Sequence, residues 1–248
     1  RLYFHLYGVK IPIKTRQYSI RRTEFDTWLL ERSGVPVDHH RVQNIRNVNG
    51  SYIIDDIYRC KYLVGAGGTN CPVYHTFFRE ANSRVPKQQI ICMETEFAYD
   101  VQDTNCYLWF FDRELHGYSW YVPKAGGYVN IGIGGKFHST PAQGKGLRSH
   151  WEQFIRKLIR LSLVNDNTFH PQGYIYYLRQ KIQEVQLDNA FITGDAAGLA
   201  TRDMGEGIGP AVESGLLAAG AIIHGSEYSL KSVTRSSLFN ILFRHSVK

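Results

Sequence analysis

The residues of this chain best placed to do chemistry lie in one stretch, Phe191–Leu217, which reads FITGDAAGLATRDMGEGIGPAVESGLL. An apolar strand ending, Phe191-Ile192-Thr193, runs into Gly194-Asp195-Ala196-Ala197-Gly198. A second cluster, Gly205-Glu206-Gly207-Ile208-Gly209, then opens a helical pattern of Ala211, Val212, Gly215, Leu216 and Ala219. Small residues let a backbone pass close to a ligand, and glycines adopt positive φ angles closed to other residues. The free N–H groups at a helix N-terminus, with the positive end of its dipole, suit an electron-rich or anionic group. Asp195, at the strand end, can accept hydrogen bonds from ligand hydroxyls. The competing reading is that these glycines only let a helix pack closely.

Around that stretch the composition narrows the possibilities. A hydrophobic share of 43% with 21% charged residues describes a folded globular chain, long enough at 248 residues for one domain or two. No apolar run approaches the roughly 20 residues that span a bilayer, and no secretory leader is seen, so a cytoplasmic setting is expected. The first residues, Arg1–Leu6, already read as a strand, as if the chain began in mid-fold. The net charge is +7, but Lys and Arg are spread along the chain. Nucleic-acid binding, which needs clustered cations, is therefore not expected, and weak peripheral attraction to acidic membranes fits better. Cys60, Cys71, Cys92 and Cys106 lack CxxC spacing, so reduced thiols are expected. His39-His40 and His138 lack carboxylates at ligand spacing, so no metal site is expected.

The elements that must position the site follow from periodicity. Arg1–Tyr7 and Val9–Ile13 read as strands about Gly8. Thr23 caps a predicted helix over Glu24–Arg32, where Phe25, Trp28 and Leu29 share a face, and Gly34 stops it. Asn49-Gly50 is a strong hairpin signal between Arg41–Val48 and Ser51–Asp55. A buried strand, Lys61–Val64, leads into Gly65-Ala66-Gly67-Gly68-Thr69-Asn70-Cys71-Pro72. That segment imitates a nucleotide-binding loop but lacks the third glycine, and Pro72 stands where a helix should be under way. Gln89–Ala98, Cys106–Phe111, Tyr118–Val122 and Tyr128–Gly134 predict an antiparallel sheet. Leu147–Val164 predicts an amphipathic helix, Tyr174–Gln180 a strand and Leu230–Phe243 a last helix.

With these pieces placed, the chain resembles the flavoprotein superfamily of para-hydroxybenzoate hydroxylase, and more closely its geranylgeranyl reductase family. Arg22-Thr23-Glu24-Phe25-Asp26 is similar to the family's R-x-x-F-D helix start. Tyr62–Val73 is similar to the superfamily's second dinucleotide motif, with Gly67 in place of Asp and Cys71 in place of Ser. GDAAG followed by GEGI matches the third motif without gaps, and Tyr118-Ser119-Trp120-Tyr121-Val122-Pro123 resembles the Y-x-W-x-F-P element lining the reductases' lipid cavity. The N-terminal GxGxxG unit, which holds the ADP half of FAD in that family, is absent from these residues.

The resemblance implies a mixed α/β fold: an FAD-binding Rossmann-like domain, incomplete at its N-terminus (residues 1–87 and 188–248), with an inserted antiparallel-sheet substrate domain (88–187). It implies FAD as cofactor, Gly194 among the residues that bind it, Asp195 at the ribityl chain, backbone N–H groups of Gly205, Glu206, Gly207 and Ile208 at the pyrimidine side of the ring, and Arg22 nearby. Tyr118, Trp120 and Tyr121 would line a tunnel for an apolar or lipid substrate, although strand alternation puts Tyr121 on the opposite face from the other two. Plain sheet-core packing is the competing reading of these aromatics, and a buried inert thiol is that of Cys71. The implied activity is reduction of isoprenoid C=C bonds by flavin hydride transfer, with an unidentified electron donor. The alternatives are a monooxygenase or halogenase of the same fold, or a truncated non-catalytic remnant. The 248 residues alone are expected to hold FAD poorly.

Overall fold

Tyr7 and Gly8, both at positive φ (48° and 82°), turn β1 (Leu2–Leu6) back along β2 (Val9–Ile13) in this computed structural model, which describes residues 1–15, 18–136, 146–166 and 168–238. Helix α1 (Arg22–Ser33) follows, ended by Gly34 in the left-handed region at φ 62°. An antiparallel meander comes next: β3 (Ile45–Val48), β4 (Ser51–Ile54) and β5 (Tyr58–Cys60). Asn49 and Gly50, at φ 50° and 78°, make the expected hairpin turn. Then come β6 (Leu63–Gly65), β7 (Gln89–Ala98), β8 (Cys106–Phe110), β9 (Gly117–Lys124) and β10 (Tyr128–Gly135). Helix α2 (Leu147–Arg160), β11 (Gln172–Tyr177), β12 (Gln186–Leu187), β13 (Ala190–Ile192) and α3 (Ile208–His224) complete the order.

The chain forms two compact units. One holds Arg1–Asp38 and Ile90–Tyr174; the other holds His39–Gln89 and the described residues from Ile175 onward. This differs from the expected grouping of 1–87 with 188–248. The cause is that β1 pairs in parallel with β8, Leu2 opposite Cys106 through Leu6 opposite Phe110, which carries the N-terminal hairpin into the large sheet. A partner strand some hundred residues away leaves no local trace in the sequence.

The first unit is built on a sheet of order β11-β7-β10-β9-β8-β1-β2, with β11 continuing into the second unit. One sheet face is covered by α2, through Trp151, Phe154 and Leu158, against Tyr107, Trp109, Tyr121, Val129, Ile131 and Ile133. Burial at this alternating register is what fixes the sheet, since a one-residue slip would turn every one of these side chains to the other face. Helix α1 corrects two expectations. Its N-cap is Arg21, without a side-chain cap, so Thr23 lies inside the helix, and none of its residues is buried. Trp28 is 53% exposed. The preceding segment is tied to the sheet by Arg21, which pairs with Glu96 at 2.8 Å and lies 3.6 Å from the Tyr128 ring centre.

In the second unit, β13 lies between β12 and β6, parallel to β6 and antiparallel to β12. Its residues Ala190, Phe191 and Ile192 are all buried, as are Phe78, Leu199 and the inward residues Ser214, Ala218 and Ala221 of α3. The small residues on α3 let the helix approach the strand ends. After Gly68–Asn70, a helical segment starts at Pro72 and continues as a π turn over Tyr74–Phe78. The proline read as a helix breaker instead starts the helix, where a fixed φ is suitable and no N–H is needed. The helix expected from Leu230 is replaced over residues 230–236 by turn and irregular chain, and its remainder beyond Leu238 lies outside the described residues.

Candidate functional site

The organising stretch folds as strand, 3₁₀ turn, loop and helix, all within the second unit. Thr193 follows β13 in extended conformation, and Gly194–Ala197 forms the turn, with Gly194 at φ 53° and Gly198 at φ 60°. An L-residue at Gly194 would be strained, and its Cβ would come 3.1 Å from that of Ala211 on α3. Close packing of turn on helix, the competing reading of the glycines, is therefore real here. The Gly194 N–H donates to Ser214 Oγ at 2.9 Å, and Ser214 Oγ donates to the Ala211 carbonyl at 3.1 Å. The buried Tyr228 hydroxyl donates to the Ile192 carbonyl at 2.9 Å. Burial pushes that phenol well above its ordinary pKa, which keeps it a donor.

Gly194, Ala196 and Ala197 are buried and Asp195 is half-buried at the mouth of the turn. The second cluster meets it there: a Cβ on Gly207 would lie 3.2 Å from Asp195 Oδ1. Gly205, at φ 65°, has no room for a side chain either, because its Cβ would run into the Tyr176 hydroxyl. Behind the turn, a cavity of about 10 Å³ beside Tyr74, Arg84 and Gly198 has room for a water at most.

The four expected backbone donors are not equivalent. Gly205 N–H donates to the Thr201 carbonyl at 2.9 Å, and Glu206 N–H to Thr201 Oγ1 at 3.1 Å. Both are committed to closing the 201–206 loop, which the Thr201 N–H to Glu206 carbonyl bond (2.9 Å) completes. Glu206 Oε1 accepts from Gly209 N–H at 2.8 Å, so its carboxylate caps α3 from just before the helix. The donors left without an acceptor among the described residues are the N–H groups of Gly207 and Ile208, with Ile208 38% exposed. Those two open α3 where Gly207 comes close to the Asp195 carboxylate, and together they form the candidate edge.

Arg22 belongs to the first unit, where it is exposed and pairs with Asp26 one helical turn on, at 3.0 Å. Tyr118 and Trp120 share the sheet face opposite α2, in an aromatic row that runs Phe4–Phe110–Tyr118–Trp120 with ring centres 5.0, 5.3 and 5.6 Å apart. Trp120 Nε1 donates to Asn130 Oδ1 at 2.6 Å, and the indole occupies the space above Gly132. Tyr121 is not with them. It is fully buried under α2, and its hydroxyl donates to the Asp103 carbonyl at 3.3 Å, a core position as alternation requires. Burial pushes its phenol up to about 12. Cys71 is a buried core residue packed against Gly65 at the end of β6. Among the described residues no group of three His, Cys, Asp or Glu could hold a metal, and His138 lies outside them.

Sequence reasoning missed the residues that hold the turn rather than line it: Tyr176, Thr201, Ser214 and Tyr228. Only Thr201, four residues before Gly205 in a glycine-punctuated loop, carried a usable signal. Glu206 was read for its backbone alone, although a carboxylate three residues before Gly209 at a helix start is a capping pattern.

The chain thus combines a turn-and-helix edge in an α/β unit with a seven-stranded mixed sheet. No family model matches the chain. A geranylgeranyl bacteriochlorophyll reductase-like protein from Thermoplasma acidophilum shares the fold at a TM-score of 0.72 and 19% identity, covering 90% of this chain and 62% of that one. A flavin-dependent halogenase does so at 0.61 and 18%, covering 84% and 42%. In sequence, the chain is 29% identical over 220 residues to an uncharacterized protein of Methanosarcina barkeri, covering 84% of this chain and 53% of the relative. It is 27% identical over 236 residues to digeranylgeranylglycerophospholipid reductase 2 of Methanosphaera stadtmanae, covering 90% and 52%. The chain thus spans about half the length of the curated relatives it matches.

Proposed function

We propose that this chain is part of an FAD-dependent oxidoreductase that reduces C=C bonds of an isoprenoid or other apolar substrate. The observation that carries the reading is the edge formed by Asp195, Gly207 and Ile208. A side chain on Gly207 would crowd the Asp195 carboxylate, and two backbone donors there have no acceptor among the described residues. Those features fit a polyhydroxyl chain beside a flat, electron-rich ring edge. When bound, FAD supplies the two-electron redox chemistry, and the protein's task is placement and electrostatics. Asp195 would accept hydrogen bonds from ribityl hydroxyls. Gly207 and Ile208 N–H, at the positive end of α3, would favour negative charge at the ring. The Glu206 carboxylate, just before the helix and bonded to Gly209 N–H, opposes that effect. Tyr118 and Trp120 would offer an apolar, rigid wall with polar tips to a long substrate. A curated relative named as a reductase supports the substrate class, and the electron donor is left open.

The net charge of +7 is consistent with a cytoplasmic protein that touches membrane surfaces peripherally, and no helix among the described residues is long and apolar enough to cross a membrane. Because these residues carry no GxGxxG loop, we propose that alone they retain FAD weakly and are inactive. A second reading, oxygenation or halogenation on the same fold, is favoured by the likeness to a flavin-dependent halogenase. The test is the absorption spectrum of the longer protein containing this chain, before and after dithionite, followed by anaerobic turnover of a prenyl substrate. A flavin spectrum and turnover without O₂ support reduction, whereas turnover only with O₂ favours the second reading. Asp195→Ala in that protein is expected to weaken flavin retention, and colourless protein that stays so with added FAD would refute both readings.

A further inference from the structure

The cations that look scattered in the sequence are gathered by the fold. Arg179, Lys181, Arg202, Lys231 and Arg235 line one cavity of about 520 Å³ in the second unit, with Glu227 the single carboxylate on its wall. None of the five makes an ion pair among the described residues. Two of them are fixed instead through neutral groups. Arg179, 8% exposed, donates to the carbonyls of Leu230 (2.8 Å), Val233 (2.9 Å) and Thr234 (2.9 Å). Arg202 Nε donates to the Arg179 carbonyl at 2.9 Å. Carbonyl partners satisfy N–H groups without cancelling charge, so the cavity keeps a net positive potential from five cations against one carboxylate. Burial above all, then Arg235 and Arg202 nearby, lowers the pKa of Arg179, with Glu213 opposing them in part.

We infer that this cavity binds a phosphate-bearing anion, the guanidinium groups of Arg202 and Arg235 facing its oxygens and the tethered Arg179 forming the floor. Arginine forks match two phosphate oxygens at once, which favours phosphate over a halide, and the volume admits a diphosphate with its first water shell. An anion there would relieve the repulsion among cations that the protein leaves unpaired. The same chemistry could be presented by a soluble phosphate or by a lipid headgroup. The inference does not rest on the flavin reading, since the cavity is lined by none of Asp195, Gly207 and Ile208, although Arg202 lies in the loop between them.

The test uses the 248-residue chain and two probes: inorganic pyrophosphate by calorimetry, and sedimentation with phosphatidylcholine vesicles doped with phosphatidic acid against undoped ones. The variant is Lys231→Gln with Arg235→Gln, whose side chains make no hydrogen bond among the described residues. Lys61→Gln with Lys87→Gln removes equal charge from exposed positions outside the cavity. The expected result is binding of at least one probe, weakened about tenfold or more by the cavity pair and retained by the other pair. Binding of pyrophosphate without vesicle preference identifies a soluble ligand, and preference for doped vesicles with weak pyrophosphate binding identifies a headgroup. The inference is overturned if neither probe binds, if the cavity pair binds like wild type, or if both pairs lose binding alike, the last showing only a net-charge effect.

Discussion

Gly205→Ala tests whether the second glycine cluster is shaped by its surroundings. At φ 65°, an alanine would bear the left-handed strain of roughly 1–2 kcal/mol. Its Cβ would also displace the Tyr176 hydroxyl, adding about 1 kcal/mol, at the low end for overpacking because the obstacle is the far end of a half-buried side chain. The sum is roughly 2–3 kcal/mol. In a Tyr176→Phe background the nearest obstacle is gone and the strain dominates, so the two substitutions should couple by about 1 kcal/mol. Tryptophan fluorescence would miss the effect, since Trp28, Trp109, Trp120 and Trp151 all lie in the other unit. Amide hydrogen exchange over residues 191–217 reads it directly. A Gly205→Ala cost under about 0.5 kcal/mol, or the same cost with and without the Tyr176 hydroxyl, would refute this account of the loop.

Tyr228→Phe keeps the ring but leaves the buried Ile192 carbonyl short of its donor, an expected loss of about 1–3 kcal/mol; faster exchange in the Gly194–Gly198 turn is the readout, and unchanged protection would speak against the tether. Gly132→Ala drives a methyl into the Trp120 indole, so a changed Trp emission spectrum and roughly 1–3 kcal/mol of destabilisation of the first unit are expected. For Asp203, burial pushes the carboxyl up, but hydrogen bonds from Ser236 and from the N–H groups of Leu238 and Ser237 outweigh it, and its pKa falls below the ordinary value. Its contribution to stability is therefore present above the unfolded-state pKa of about 3.9 and lost as pH falls through the lower folded value. Asp203→Asn should be less stable than wild type near neutral pH, with the gap closing under acid; a gap independent of pH in urea titrations would contradict the sign.

How much of this was legible beforehand follows from the range of the interactions. The strands from Gln89 to Gly135 and helix α2 announce themselves through local alternation and spacing, and Asn49-Gly50 through turn chemistry. Alternation also separated Tyr121 from Trp120, but which face became core depended on where α2 docks. The apolar trio of α1 had the right spacing and found nothing to bury against, since periodicity records a stripe but not its partner. At the candidate site, the glycines and Asp195 were readable because their constraint is backbone geometry. The commitment of the Gly205 and Glu206 amides to Thr201 was not, because a loop's internal hydrogen bonds leave no periodic mark. The cationic cavity was invisible for the same reason as the β1–β8 pairing: Arg179 and Arg235 meet only after folding.

The segment from Tyr228 to Leu238 contains almost no regular structure, yet three side chains from elsewhere grip it: Arg179 through carbonyls, Asp203 through N–H groups, and Glu213 through Thr234. Such a stretch behaves as a buckle rather than a tail. A protease aimed at its exposed basic residues must first release the clasp, so resistance to nicking at Lys231 and Arg235 would be set by opening of the whole unit, not by the solvent exposure of the cut site.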